Sequence, residues 1–156
     1  MRFIGNIEAK TDSKGRVFVP ATFRRILREN GVERLIMRKD IFHKCLVLYP
    51  EETWNRRLDA LQERLNVWDR EQQNLMRTFV SKAEEVSLDS NGRILIPKRY
   101  MELAGIKQEV SFIGMNDAIE IWAADKFEEN LMDAETFGIE IEKIMSGGQK
   151  NENNNE

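Results

Sequence analysis

The chain has one cysteine (Cys45), one histidine (His43) and three prolines in 156 residues. A single cysteine excludes an intrachain disulfide, and neither CxxC nor HExxH spacing occurs, so the usual zinc signatures are missing. A metal site would need ligands from another subunit; no metal and no cofactor are expected. One histidine, no Ser-His-Asp grouping and no Gly-rich phosphate loop leave no nucleophile and base to pair, so no catalytic residue is assigned. His43 reads as a turn or rim residue and Cys45 as a small buried hydrophobe. No apolar run approaches the roughly 20 residues that span a bilayer, and the N-terminus lacks the apolar core of a signal peptide. A cytosolic protein with no membrane partner is expected.

What is present is ordinary in composition, 41% hydrophobic and 33% charged, with a net charge of −3. That average hides an asymmetry. Lys10, Lys14, Arg16, Arg24, Arg25 and Arg28 face Asp12 alone over residues 10–28, a balance of +5, whereas residues 120–156 carry −7.

The basic stretch contains one copy of a repeat. Asp12-Ser13-Lys14-Gly15-Arg16-Val17-Phe18-Val19-Pro20 returns 77 residues later as Asp89-Ser90-Asn91-Gly92-Arg93-Ile94-Leu95-Ile96-Pro97. An Asx-turn former, then a residue tolerant of positive φ, then alternating apolar residues predict a hairpin in each copy. Pro20 and Pro97 end the strands and suit a helix start, and Phe23, Ile26 and Leu27, or Tyr100 and Leu103, keep helical spacing. Asn30-Gly31 and Gly105 supply the stops. A further strand pair follows in each copy, Leu35–Met37 with Cys45–Tyr49 and Val110–Ile113 with Ala118–Trp122. A copy of roughly 45 to 50 residues buries too little surface to stand alone, so the two are expected to pack into one pseudo-symmetric unit.

Between the copies, Trp54, Leu58, Leu61, Leu65, Trp68, Leu75 and Phe79 form a heptad-like stripe that predicts helix. Asn66 reads as the N-cap of a second helix. The stripe packs on its own subunit or meets a neighbour, and the two readings can hold for different residues. A short helix is expected over residues 125–132 and a weak turn or two around Phe137, Ile141 and Ile144. Residues 146–156 are too polar to offset their ordering entropy and are expected to be disordered. The domain boundaries are a first module at 5–54, a helical spacer at 55–81, a second module at 82–128, a short helical tail at 129–145 and the disordered tail.

In Asp-x-x-x-Arg around a tight turn, the carboxylate accepts turn N–H groups and pairs with the guanidinium, which orients the loop and leaves arginine donors free. One copy could be merely a stable hairpin. Two copies beside basic residues point to double-stranded DNA, with Lys14, Arg16, Asn91 and Arg93 presented to the duplex and Asp12, Gly15, Asp89 and Gly92 shaping the loops. Arginine suits guanine and asparagine suits adenine. Arg24, Arg25, Lys98 and Arg99, with Lys10 and Arg28, would flank the turns as phosphate contacts. A single unit neutralises few phosphates, so identical units side by side on short repeated sites are expected.

The doubled motif, with His43-x-Cys45-Leu46 leading to Leu48-Tyr49-Pro50 between the copies, closely resembles the MraZ family over nearly the whole chain. The resemblance implies a β-rich α+β fold of two tandem AbrB-type swapped-hairpin modules, forming a pseudo-two-fold, β-barrel-like unit with a helical spacer. It implies a bacterial transcriptional regulator, a repressor of its own operon in the division and cell-wall gene cluster, binding promoter direct repeats as a ring-shaped homo-oligomer at the nucleoid. By position it assigns DNA binding to Arg16 and Arg93, with Lys14 beside them. Asn91 lacks the charge of Lys14, so the first loop is expected to dominate. The alternative is an oligomeric protein-binding scaffold or antitoxin-like module on the same fold, although an antitoxin would carry an apolar, partner-wrapping tail.

Overall fold

A computed structural model describes residues 1–154, with side chains as far as Gly147. Each proline stands immediately before a helix: Pro20, Pro50 and Pro97 have φ of −50°, −54° and −57° with extended ψ. The ring fixes φ at a value that serves strand end and helix entry alike, and its missing N–H costs nothing there. The helices that follow are α1 (Ala21–Glu29), α2 (Glu51–Arg64) and α4 (Lys98–Ala104). The helix α3 (Arg70–Ser81) lies between the last two.

The chain divides into two compact units, Met1–Ala124 and the remainder from Asp125 onward. The first holds eight strands: β1 (Asn6–Lys10), β2 (Arg16–Phe18), β3 (Leu35–Lys39), β4 (Leu46–Pro50), β5 (Glu84–Val86), β6 (Arg93–Leu95), β7 (Glu109–Gly114) and β8 (Ile119–Ala123). Six form an antiparallel sheet in the order β1-β7-β8-β4-β3-β5, and β2 pairs with β6 in a separate two-stranded ribbon. Exchanging each strand of the first copy for its equivalent in the second reproduces the same order reversed. The fold is mixed α/β and symmetric in topology, as the repeat predicts.

Two expectations need correction. The arms of each predicted hairpin do not pair with each other: β1 pairs with β7, β5 with β3, and β2 with β6. The turn is local chemistry, legible in Asp-Ser-x-Gly, but partner choice is tertiary. Pairing across copies sets Val17 opposite Ile94, each 1% exposed, and so joins both copies in one core. That core includes Phe3, Phe23, Leu48, Tyr100, Phe112 and Ile121. The sheet also stays open instead of closing as a barrel, with β1 and β5 at its edges. Glu8, Lys10, Glu84 and Glu85 place charge on these short strands, which discourages further pairing.

The spacer is two helices, as expected, but α3 is capped by Asp69, whose carboxylate accepts from the N–H groups of Glu71 (2.9 Å) and Gln72 (3.1 Å). Asn66 instead closes its own turn, accepting from Trp68 N–H at 3.0 Å. Phe79 of α3 stacks on Trp54 of α2, ring centroids 5.1 Å apart. Trp54 is buried, while Trp68 is 90% exposed, so the stripe packs on its own subunit at its two ends and is exposed between them.

In the second unit, a single 3₁₀ turn (Glu128–Asn130) replaces the helix expected over residues 125–132, and α5 runs Ala134–Asn154. Asp133 starts α5 by accepting from Thr136 N–H at 3.1 Å and Thr136 Oγ1 at 2.5 Å. The backbone through Asn154 is therefore helical where a disordered tail was expected; residues 155–156 of that tail lie outside the described residues. No helix among the described residues is long and apolar enough to cross a membrane.

Candidate nucleic-acid interface

The two turns are near replicas. Asp12 Oδ1 accepts from the backbone N–H groups of Lys14 and Arg16, both at 2.9 Å, and Oδ2 accepts from Arg16 Nε at 2.6 Å. Asp89 does the same for Asn91 N–H, Arg93 N–H and Arg93 Nε, each at 2.9 Å. Each carboxylate uses both oxygens and engages only the Nε edge of its arginine. The terminal nitrogens of both guanidiniums remain to meet an acceptor from outside. Gly15 and Gly92 have φ of +89° and +84°, which lets the chain reverse within the turn.

Backbone N–H donation to the carboxylate, from Arg16 and from Arg93, holds the Asp12 and Asp89 carboxyls below the usual aspartate range. A carboxylate with a lowered folded-state pKa adds stability above its unfolded pKa of about 3.9 and loses it as pH falls through the folded value. The turns are expected to outlast ordinary surface carboxylates on acidification. Amide NMR signals of Lys14, Arg16, Asn91 and Arg93 should titrate with midpoints below pH 3.9, about the free-aspartate value. Asp12→Asn should abolish the transition in the first turn only.

The turns are linked by the ribbon. Register sets Arg16 opposite Leu95 and Phe18 opposite Arg93, and each turn glycine accepts across copies: Ile96 N–H donates to Gly15 O at 2.9 Å and Val19 N–H to Gly92 O at 3.1 Å. Strand alternation then sorts the faces. Val17 and Ile94 point inward, while Phe18 (54% exposed) and Leu95 (52%) share the outer face with the two arginines. The Arg93 guanidinium sits 5.7 Å from the Phe18 ring centroid. Phe18 and Leu95 were not singled out from sequence, although their two-residue spacing from Arg16 and Arg93 carried the signal.

The remaining predicted cations are distributed less uniformly. Lys14 and Asn91 are exposed at the turn tips, and Lys98 is exposed at the start of α4. Arg25 pairs with Glu29 at 3.9 Å and Lys10 with Glu109 at 3.8 Å. Arg99 pairs with Glu84 at 2.8 Å and lies over the Tyr100 ring. Arg28 is exposed in the last turn of α1. Arg24 leans over Gly92 of the other copy.

The ligating groups lie elsewhere. Ligand atoms of Asp40, Cys45 and Glu120 fall within 4.8 Å of one another. Burial pushes the Cys45 thiol and the Glu120 carboxyl up, and the thiol keeps its proton near neutrality. Asp40 Oδ2 already accepts from the N–H groups of Phe42 (3.1 Å) and His43 (2.9 Å). A buried thiol held protonated is a poor nucleophile, in keeping with the reading of Cys45 as a small hydrophobe.

A family model described as "MraZ protein, putative antitoxin-like" matches residues 3–75 and 79–140, one repeated turn in each stretch. A protein of Bacteroides fragilis named transcriptional regulator MraZ is 53% identical over 154 residues, covering 99% of this chain and 98% of the relative. The Bacteroides thetaiotaomicron protein of the same name is 53% identical over 146 residues, 94% of each chain. A Clostridium tetani protein, also so named, is 37% identical over 127 residues, 81% of this chain and 85% of the relative. Twin Asp-oriented arginine turns, exchanged strands and these matches together establish that the chain belongs to the MraZ family.

Proposed function

We propose that this chain, a transcriptional regulator by its kinship, binds double-stranded DNA in a sequence-specific way through the outer face of the β2-β6 ribbon. The observation that carries the reading is the joint presentation of Arg16 and Arg93 on that face, each oriented by its own aspartate. A two-stranded ribbon is one of the few elements that fit the roughly 12 Å major groove. Bidentate arginine suits guanine there, and apolar Phe18 and Leu95 suit the thymine methyl group. Asn91 suits adenine, and Lys14, Lys98 and the α1 arginines would meet flanking phosphates, fixing register without reading sequence.

The finer reading follows the resemblance. Residues 5–54 and 82–128 act as two swapped-hairpin modules, a description supported by the exchange of strand partners. Several chains assemble in a ring on promoter direct repeats and repress the chain's own operon in the division and cell-wall cluster, at the nucleoid. The exposed Trp68 and Leu75 of the spacer offer apolar surface for such neighbours.

The test is a titration of labelled duplex from immediately upstream of this chain's gene, against a scrambled duplex of equal length, from low to near-physiological salt. The upstream duplex should bind more tightly at every salt, by about 1,000-fold or more if it behaves as specific sites typically do against non-specific ones. Affinity should fall linearly on a log–log plot against salt. Equal affinity for both duplexes would contradict sequence reading, and capture of a protein partner without DNA would favour the scaffold role.

A further inference from the structure

The two turns differ where an anion would notice: Lys14 in the first is Asn91 in the second. The space over the two turn glycines differs in the opposite sense. A Cβ built on Gly15 would lie 3.3 Å from the sulfur of Met101, which belongs to α4 of the second copy. A Cβ on Gly92 would overlap Nη1 of Arg24, from α1 of the first copy, and lie 2.7 Å from its Cδ and 3.0 Å from its Cζ. Arg24 and Met101 are 77 residues apart, the interval of the repeat, and are therefore equivalent positions. The first turn has a cation at its tip and a neutral side chain over its glycine. The second has a neutral tip and a cation over its glycine.

Arg24 is not held there by an acid of its own. Arg25, Arg34 and Arg99 each pair with a glutamate. Arg24 forms no ion pair among the described residues, and its Nε is buried without a hydrogen-bond partner. Arginine stays charged at any ordinary pH, and a half-buried guanidinium without a counter-charge is unfavourable until an anion arrives. A DNA phosphate beside the second turn would supply that charge.

We propose that Arg24 is the phosphate-binding cation of the second turn, contributed across copies in place of the lysine that Asn91 lacks. The two turns then bring equal positive charge to the duplex, and neither dominates. This rests on the DNA-binding reading above.

The test compares wild type, Arg24→Met, Arg24→Gln and Arg24→Met/Asn91→Lys on the upstream duplex, with Arg16→Ala as control, at matched oligomeric state and thermal midpoint. Arg24→Gln keeps a polar stem over Gly92 should methionine disturb the fold. Either single variant should weaken binding and flatten the log–log salt slope by about 0.9 for each second turn engaged. The double variant should recover the slope, because lysine at 91 restores charge but not the packing of Arg24. An unchanged slope in both single variants, with Arg16→Ala still impaired, would overturn the role of Arg24 and leave the DNA reading standing. A slope lost and not recovered by Asn91→Lys would show that Arg24 acts by packing, which also overturns it. No binding by wild type would overturn the DNA reading itself, and this assignment with it.

Discussion

Gly15→Ala is expected to destabilise the first unit far more than Gly92→Ala, although the two glycines are equivalent by repeat and nearly equal in φ. Both substitutions force an L-residue into the left-handed region, a strain of about 1–3 kcal/mol. The surroundings separate them. A Cβ at Gly15 would stand 2.5 Å from the carbonyl oxygen of Ile96. That oxygen cannot give way easily, because the Ile96 N–H donates to Gly15 O at 2.9 Å and the same residue closes the ribbon. The clash therefore pulls on β6 and on the Val17–Ile94 pair at the core.

At Gly92 the obstacle is the arginine side chain of Arg24, which can swing into solvent. Gly92→Ala should cost little beyond the backbone strain, while Gly15→Ala should exceed the upper end of that roughly 1–3 kcal/mol range. Chemical denaturation of both variants checks this through the shift in midpoint at constant slope. Equal losses would mean that the ribbon yields as easily as a side chain. The same substitution at Gly92 should also displace Arg24, linking a stability measurement to the charge beside the second turn.

Much of this arrangement was legible in the sequence because its causes are local. Asp-Ser-x-Gly writes the turn in both copies, the prolines mark the helix entries, and the heptad-like spacing from Trp54 to Phe79 gives the spacer helices. What was not legible depends on neighbours distant in the chain. Nothing between Lys10 and Arg16 says that β1 will leave its own hairpin for β7, since that choice is made by opposing Val17 with Ile94 across 77 residues. The open sheet follows from the same exchange, because β1 and β5 have spent their pairing on one side only.

At the candidate site, the motif singles out Arg16 and Arg93, but not their common face, because that requires the ribbon register that sets Arg16 opposite Leu95 and Phe18 opposite Arg93. The asymmetry between Lys14 and Asn91 was visible too. Its counterweight, Arg24 over Gly92, lies in another copy's helix and could be seen only in three dimensions. The cap of α3 shows the same limit on a smaller scale: Asn66 and Asp69 are both good cap residues, and the path of the connecting chain assigns the cap to Asp69.

In the proposed function, Arg16 and Arg93 act as one reading surface on DNA. Its most direct measurement is binding of the upstream duplex by Arg16→Ala, Arg93→Ala and the double variant, at fixed salt and matched oligomeric state. A bidentate arginine–guanine contact carries about 1–3 kcal/mol of discrimination, so each single variant should lose roughly 5- to 150-fold against the scrambled duplex. The ribbon joins the two arginines, so their losses should not simply add. Loss of preference for the upstream duplex in both single variants, with the fold intact, is the predicted result. Full preference retained by either single variant would contradict a shared surface and leave that turn as architecture alone.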